Sequence, residues 1–213
     1  MDVLWFRLPR RADELHGIDS TLGHGHLLIM LERMDEWQIG YVIGKGRYQA
    51  LRTAGIQQLR DEIVAIQPRL RDRVEQLTDW KQVALLAVES SRVPRWHRPG
   101  LLLIGDAAHV MSPVGGIGIN YAIQDAVAVA NLLTDKLRDG TVTEADLAAV
   151  QRRREWPTRV AQALQARGAR IIVGRALADR PFRIPFFVKW GPVQHLLAAM
   201  VGFGIRPERI ARI

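Results

Sequence analysis

The sequence predicts a mixed α/β (α+β) chain: a β-rich first half with a helical insert, a strand-loop-helix unit near residue 100, and a helical tail. Three observations carry that prediction. Apolar runs of strand length recur up to about residue 95. Leu101 to Ile104 form a continuous apolar run ended by Gly105-Asp106. Nearly everything after Ile117 has helical spacing between turn residues. At 213 residues with 48% hydrophobic side chains, the chain is long enough to bury one large or two small cores.

Val3 to Leu8, Leu27 to Arg33 and Trp37 to Ile43 read as strands, the last two joined by a turn at Met34-Asp35-Glu36. From Thr53 to Gln67, Ile56, Leu59, Ile63 and Ile66 recur at helical spacing. Pro68 then restarts a shorter helix containing Leu70, Val74 and Leu77, and Val83 to Val88 returns to strand. Leu101 to Ile104 reads as a short, fully buried strand, because a strand covered on both faces needs no polar alternation. Two long helices follow, Ile117 to Arg138 and Thr143 to Arg167, separated by Asp139-Gly140. Thr143 with Asp146 fits an N-cap and an acidic first turn, and Pro157 is expected to kink or divide the second helix. Pro181, Pro185 and Pro192 should break the tail into short pieces. Its last apolar stretch, Val193 to Ile205, is too short to span a bilayer and is expected to pack as a helix on its own protein.

The chemistry concentrates between Gly105 and Asn120, in a site built from backbone. Gly105-Asp106 puts a carboxylate at the carboxyl end of a strand, the edge where open α/β sheets bind ligands. Pro113 and glycines 115, 116 and 118 then make a tight loop that opens a helix. Its first amides, those of Gly118, Ile119 and Asn120, lack intrahelical partners at the positive end of the dipole. Such a loop suits an electron-rich, planar or anionic group. His109, with no carboxylate partner evident along the chain, reads as structural, and Asp125 as a buried hydrogen-bonding group that fixes helix packing. Trp37 and Tyr41 either line a pocket or fill the core; Arg47, Tyr48 and Arg92 are polar candidates for the same pocket. There is no nucleophile-base-acid set and no metal-ligand spacing in the sequence.

Charge is uneven. Residues 151–213 carry 13 Lys and Arg against 3 Asp and Glu, within a chain of net charge +8. The basic residues there are nearly all Arg, spread singly along helices with no interleaved aromatic platform, so a solvated helix face is expected and nucleic-acid binding is not. The absence of Cys excludes disulfides and thiolate metal sites. Met1-Asp2-Val3 opens no signal peptide and no apolar run reaches the ~20 residues of a membrane span, so a cytoplasmic protein without stable membrane insertion is expected.

Gly105-Asp106-Ala107-Ala108-His109 followed by Ser112-Pro113-Val114-Gly115-Gly116-Ile117-Gly118-Ile119-Asn120 resembles the second flavin-binding motif of the FAD-dependent aromatic hydroxylases, the class A flavoprotein monooxygenases. The resemblance continues more weakly through Leu4 to Pro9, Trp37 to Tyr41, Trp96 to Gly100 and Gly204 to Glu208, so it covers nearly the whole chain. It implies that Gly105-Asp106 reaches the ribityl chain of FAD, with Asp106 on a ribityl hydroxyl. Pro113, Gly115 and Gly116 would run beside the isoalloxazine ring, and the amides of Gly118, Ile119 and Asn120 would lie at its pyrimidine end. It further implies NADH or NADPH as reductant, oxygen adding at flavin C4a, and hydroxylation of an aromatic or polycyclic substrate. The implied organisation is a substrate-domain sheet over 1–95, a flavin-binding segment over 96–140 and a basic helical region over 141–213.

The family also opens with a Rossmann-type βαβ unit carrying G-x-G-x-x-G, and the sequence contains no such run. The chain is therefore expected to be the C-terminal part of a longer flavoenzyme that relies on a missing N-terminal segment or subunit. Two other readings stand beside this one: a non-catalytic truncated remnant or partner subunit, and a basic interaction module acting through the Arg-rich tail.

Overall fold

The computed structural model describes residues 1–14, 16–23, 25–177 and 190–211. These divide into two compact units, one built on Met1–Val88 with the described residues from Arg170 to 177, the other on Glu89–Ala169 with the C-terminal residues from 190.

The first unit is an antiparallel sheet of β1 (Asp2–Pro9), β2 (Ile18–Gly23), β3 (His26–Arg33), β4 (Glu36–Ile43) and β5 (Ala84–Ala87), in the order β2-β3-β4-β1-β5. The β3–β4 hairpin closes with Arg33 opposite Glu36, which puts Met34-Asp35 in the turn as the sequence predicts. The sequence gives no warning of β2. Its residues are largely polar, and hydrogen bonds hold it: the Gln67 side-chain amide donates to Thr21 Oγ1 at 3.0 Å, and Arg69 pairs with Asp19. An edge strand tolerates that composition because one side of it needs no neighbour.

The helix expected from Thr53 to Gln67 is α2 (Ile56–Ile66), and a second helix that the spacing does not predict, α1 (Tyr48–Ala54), precedes it across Gly55. The helix expected after Pro68 is instead three 3-10 turns, Pro68–Leu70, Val74–Gln76 and Trp80–Gln82. Side chains take over the carbonyls that a helix would use, since Arg60 donates to the carbonyl oxygens of both Leu77 and Glu75. Leu70, Val74 and Leu77 are nonetheless buried, as their spacing requires.

Period-two alternation divides the sheet's faces. Leu4, Phe6, Leu8, Trp37, Ile39 and Tyr41 point to the side where Leu59, Ile63 and Ile66 of α2 pack, forming the main core. Val3 and Val42 are buried on the opposite face, with Trp5 and Leu27 packed beside them. Within the main core lies one ionised cluster. Arg73 donates two hydrogen bonds to Glu14, at 2.7 and 3.0 Å, and Trp37 Nε1 donates a third at 2.7 Å. Burial pushes the Glu14 carboxyl up, but these donors outweigh it and hold its pKa at about 2.

The second unit begins with an interrupted hairpin. β6 (Ser91–Arg92) pairs with β9 (His109–Val110), and β7 (His97–Arg98) with β8 (Leu101–Leu102). Single bonds from Val93 N to the Ala108 carbonyl and from Leu103 N to the Trp96 carbonyl lie between the two ladders. The expected buried strand at 101–104 is thus only two residues long, and Leu101 is 50% exposed, because its ladder runs on one side to a two-residue partner. α3 (Gly118–Arg138) ends at Asp139-Gly140 as expected. α4 (Glu144–Leu177) starts where predicted, with the amide and the hydroxyl of Thr143 both donating to Asp146 Oδ2.

Pro157 does not divide α4. A mid-helix proline costs a hydrogen bond and roughly 3 kcal/mol. Here, tertiary bonds hold the helix on both sides of it, through Gln151 and Arg154 before and Gln162 and Gln165 after. Pro192 opens α5 (Gly191–Phe203) rather than breaking it, while Pro181 and Pro185 lie outside the described residues. The packing expected for α5 is confined to one edge, where the carbonyls of Val201 and Phe203 accept from Asn120 and Gln124; Leu196 and the Phe203 side chain are exposed. Among the described residues no helix is long and apolar enough to cross a membrane.

The depressed Glu14 pKa makes the stabilisation from its ion pair complete above about pH 4.5 and lost as pH falls toward about 2. Glu14→Gln should cost about 3 kcal/mol at neutral pH. Urea midpoints of wild type and variant should converge through that acid window, and a constant gap down to the lowest pH would contradict the assignment. On the other face, an added Cβ at Gly40 would sit 3.0 Å from the Trp5 ring. Gly40→Ala should therefore move that ring and shift the tryptophan emission, with no shift in a Trp5→Phe background.

Candidate functional site

In the second unit, residues 105–120 lead into the amino end of α3, with Asp106, Ala107, Pro113, Gly115, Gly116 and Ile119 as the exposed positions. Gly105–Ala107 make a 3-10 turn after the hairpin. Gly105 has φ +57°, and a Cβ there would lie 3.0 Å from Ala122 Cβ, so only glycine permits this turn to rest on the second turn of α3. Asp106, the next residue, is exposed and makes no hydrogen bond among the described residues. Pro113, Gly115 and Gly116 are likewise exposed, and both glycines have positive φ. The N-cap of α3, Ile117, offers no side-chain cap, and the first intrahelical bond runs from Tyr121 N to the Ile117 carbonyl. The amides of Gly118, Ile119 and Asn120 therefore precede the helix's own ladder at its positive end. The Asn120 side chain donates to the Val201 carbonyl at 3.0 Å.

Beneath this segment is a charged centre. Asp125 is fully buried and accepts three hydrogen bonds: from Gly105 N at 3.0 Å, from His109 Nε2 at 2.6 Å and from Arg154 Nε at 2.9 Å. Burial pushes its carboxyl up, but the bonds from His109 and Arg154 prevail and hold it below the usual carboxylate range. Arg154, also fully buried, donates to the Arg206 carbonyl and lies 3.7 Å from Glu208, which in turn holds Arg153 in a two-point pair. His109, without a partner in the linear sequence, thus finds its carboxylate 16 residues downstream. Trp96 packs against the His109 ring at 5.0 Å between centroids.

α4 supports the loop along a polar stripe. Gln151 accepts from Trp96 N, Gln162 donates to the Val110 carbonyl, and Gln165 donates to the carbonyls of Ser112 and Val114 at 2.8 and 2.7 Å. With Arg154 and Thr158, these residues recur at steps of three and four along the helix. That spacing is legible in the sequence, but a search for apolar periodicity passes over it.

The first-unit candidates do not share one surface. Trp37 and Tyr41 are fully buried in the main core. Trp37 is bonded to Glu14, and the Tyr41 hydroxyl donates to Glu62 and lies 2.8 Å from His26 Nδ1. Burial and Glu62 together raise the Tyr41 pKa. Arg47 is exposed and lines a cavity of about 200 Å³ with His26, Leu51, Gln58 and Glu62. Tyr48 packs edge-on against Trp80, and Arg92, in the second unit, donates to Gln162. Trp5, which the sequence reading passed over, lies across Gly40 on the sheet face away from α2. Its alternation with Leu4 and Phe6 was the available signal.

A family model described as FAD binding domain matches residues 11–164. The 6-methylpretetramide 4-monooxygenase of Streptomyces rimosus is 35% identical over 212 residues, 98% of this chain and 50% of that protein. The phenazine 1,6-dicarboxylic acid hydroxylase PhzS of Lysobacter antibioticus is 36% identical over 114 residues, 54% of this chain and 25% of that protein. Among solved structures, PqsL, a probable FAD-dependent monooxygenase from Pseudomonas aeruginosa, superposes with a TM-score of 0.59 at 21% identity, covering 83% of this chain and 48% of that one. The flavin-dependent brominase Bmp2 gives 0.68 at 15% identity, covering 94% and 50%. At these identities the structures share the fold. The chain spans about half the length of the first relative and of these structures. By sequence match over most of its length, the chain belongs to the FAD binding domain family, among FAD-dependent, aromatic hydroxylase-like proteins.

Proposed function

We propose that this chain holds the ribityl and isoalloxazine parts of FAD in a monooxygenase that hydroxylates an aromatic or polycyclic substrate with oxygen, using NADH or NADPH as reductant. The observation that carries this reading is the amino end of α3: uncapped, preceded by two exposed positive-φ glycines, with the exposed Asp106 carboxylate on a turn packed against the same helix. These features fit the group. A planar ring needs a surface without side chains, and nothing lies within 4 Å of a Cβ added at Gly116. A ribityl hydroxyl needs an acceptor, which Asp106 supplies. The first amides of α3, from Gly118 to Asn120, would stabilise negative charge at the pyrimidine end of the ring. Pro113 and Gly115 would border its edge.

FAD, when bound and reduced, supplies the electrons that activate oxygen; the protein supplies position, electrostatics and exclusion of water. Segment 96–140 would do the positioning, segment 141–213 would brace it, and the sheet of 1–95 would meet substrate. Among the substrate-pocket candidates, the exposed Arg47 at its cavity and the half-buried Tyr48 are the accessible ones in the first unit, while Trp37 and Tyr41 would act from the core. Trp5 adds an aromatic surface on the opposite face. Two curated relatives, named a monooxygenase and a hydroxylase, support the reaction class, the second being named for a phenazine dicarboxylic acid. The pyrophosphate and adenosine of FAD would need a G-x-G-x-x-G unit, from a further segment or subunit of what we take to be a cytoplasmic enzyme.

Because the proposed contacts stop at the ribityl chain, riboflavin, FMN and FAD should bind this chain with affinities within about threefold of one another, all weak, in the micromolar range or above. Asp106→Ala should weaken all three by about tenfold while leaving the unfolding free energy within about 0.5 kcal/mol, since the side chain is exposed. Flavin fluorescence titration checks the first expectation and urea unfolding the second. FAD binding far more tightly than riboflavin, or an Asp106→Ala chain that binds both as wild type does, would overturn the assignment.

A further inference from the structure

We propose that Asp125 is a positioning residue for the ligand turn, a buried carboxylate that sets where Asp106 points. Its donors come from three separate elements: the 3-10 turn through Gly105, β9 through His109, and α4 through Arg154. Two of them bracket Asp106, with Gly105 immediately before it and His109 three residues after it. Both bonds go to the same oxygen, Oδ2, so residues 105–109 are drawn to one point and Asp106 is carried on the outside of the resulting arc.

The opposite side of Gly105 is fixed by Ala122, one turn before Asp125 on the same helix. The turn is therefore held by contact and by hydrogen bond to a single helix. That helix begins with the amides proposed to meet the flavin ring. Arg154 takes the other oxygen, Oδ1, and is anchored to the Arg206 carbonyl, so the carboxylate cannot rotate away without leaving a buried guanidinium short of its partner. Helix packing alone would need only the Arg154 bond; the bonds to both ends of the turn are what a positioning role adds. Asparagine at 125 keeps one acceptor oxygen, which must face the buried Arg154 cation because an N–H₂ opposed to a guanidinium is the costlier arrangement; its N–H₂ is then directed at Gly105 and His109, so the Gly105 bond is lost.

The ligand part of this inference rests on the flavin reading, and its test has an arm that does not. In the full chain, the Gly105 amide proton should be shifted downfield in the NMR spectrum and exchange about a hundredfold more slowly than that of Asp106. Asp125→Asn should abolish both signatures and weaken riboflavin binding about tenfold. Val150→Ala serves as the structural control: Val150 is fully buried beside Leu133 and Leu147, with no bond to the turn, and its loss should lower the melting temperature while changing riboflavin affinity less than twofold. An unchanged Gly105 signal in Asp125→Asn, or equal weakening of riboflavin binding by Val150→Ala, would overturn the proposal. If Asp125→Asn does not fold, wild-type exchange decides, and a Gly105 amide as fast as that of Asp106 rejects it. A wild-type chain that binds no riboflavin would overturn the flavin reading, and the Gly105 signals would then support or reject the positioning role by themselves.

Discussion

The second unit depends on one buried carboxylate. A fully desolvated Asp is tolerable only if its charge is balanced and its lone pairs are filled. Asp125 meets both conditions by drawing a backbone amide, an imidazole and a guanidinium from elements far apart in sequence. Each donor brings its own element along. Gly105 carries the turn, His109 carries the hairpin's second arm, and Arg154 carries α4 together with the C-terminal strand of chain around Arg206 and Glu208. Removing the charge would leave the buried Arg154 with only Glu208, at 3.7 Å and already paired with Arg153, to balance it, so these elements are coupled through Asp125.

The two units solve the packing problem differently. The first unit hides a continuous apolar core between one face of its sheet and α2, with the Glu14–Arg73 pair as its only strongly buried bidentate carboxylate–guanidinium contact among the described residues. The second unit has smaller apolar clusters and buries along α4 a row of glutamines and Arg154, which bond to loop carbonyls and amides, with Thr158 bonded back to the Arg154 carbonyl of the same helix. That difference follows from what each unit must hold. A sheet satisfies its own backbone, leaving side chains free to be apolar. An irregular loop has backbone groups without ladder partners, and long polar side chains from a neighbouring helix reach them.

Much of the fold is readable from local pattern where that pattern reflects a single strong requirement. β1, β3, β4, α2, α3 and the start of α4 lie close to their expected places because alternation, helical spacing and the Thr143–Asp146 cap each report a local preference. The same local reading overlooked β2, which is held by cross-connections to Gln67 and Arg69. It also makes a helix of residues after Pro68, where Arg60 takes the carbonyls, and expects Pro157 to kink or divide α4, which bonds to other elements keep undivided. In each case the deciding partner is many residues away.

The same division applies to the site. The sequence by itself determined the strand-loop-helix unit that the flavin proposal rests on, from Gly105-Asp106 through the glycine loop to the first turn of α3, because a tight turn into a helix start is written in glycine, proline and helix-start residues at adjacent positions. It also determined the family, since that run is contiguous. Only the tertiary structure decided that His109 has a carboxylate, that Asp125 serves the turn as well as the helix, that Trp37 and Tyr41 lie inside the core, and that Trp5 lies on the other face. Those facts depend on which distant donors and strands meet in space, and a buried charge or a sheet face is defined by its neighbours rather than by its position along the chain.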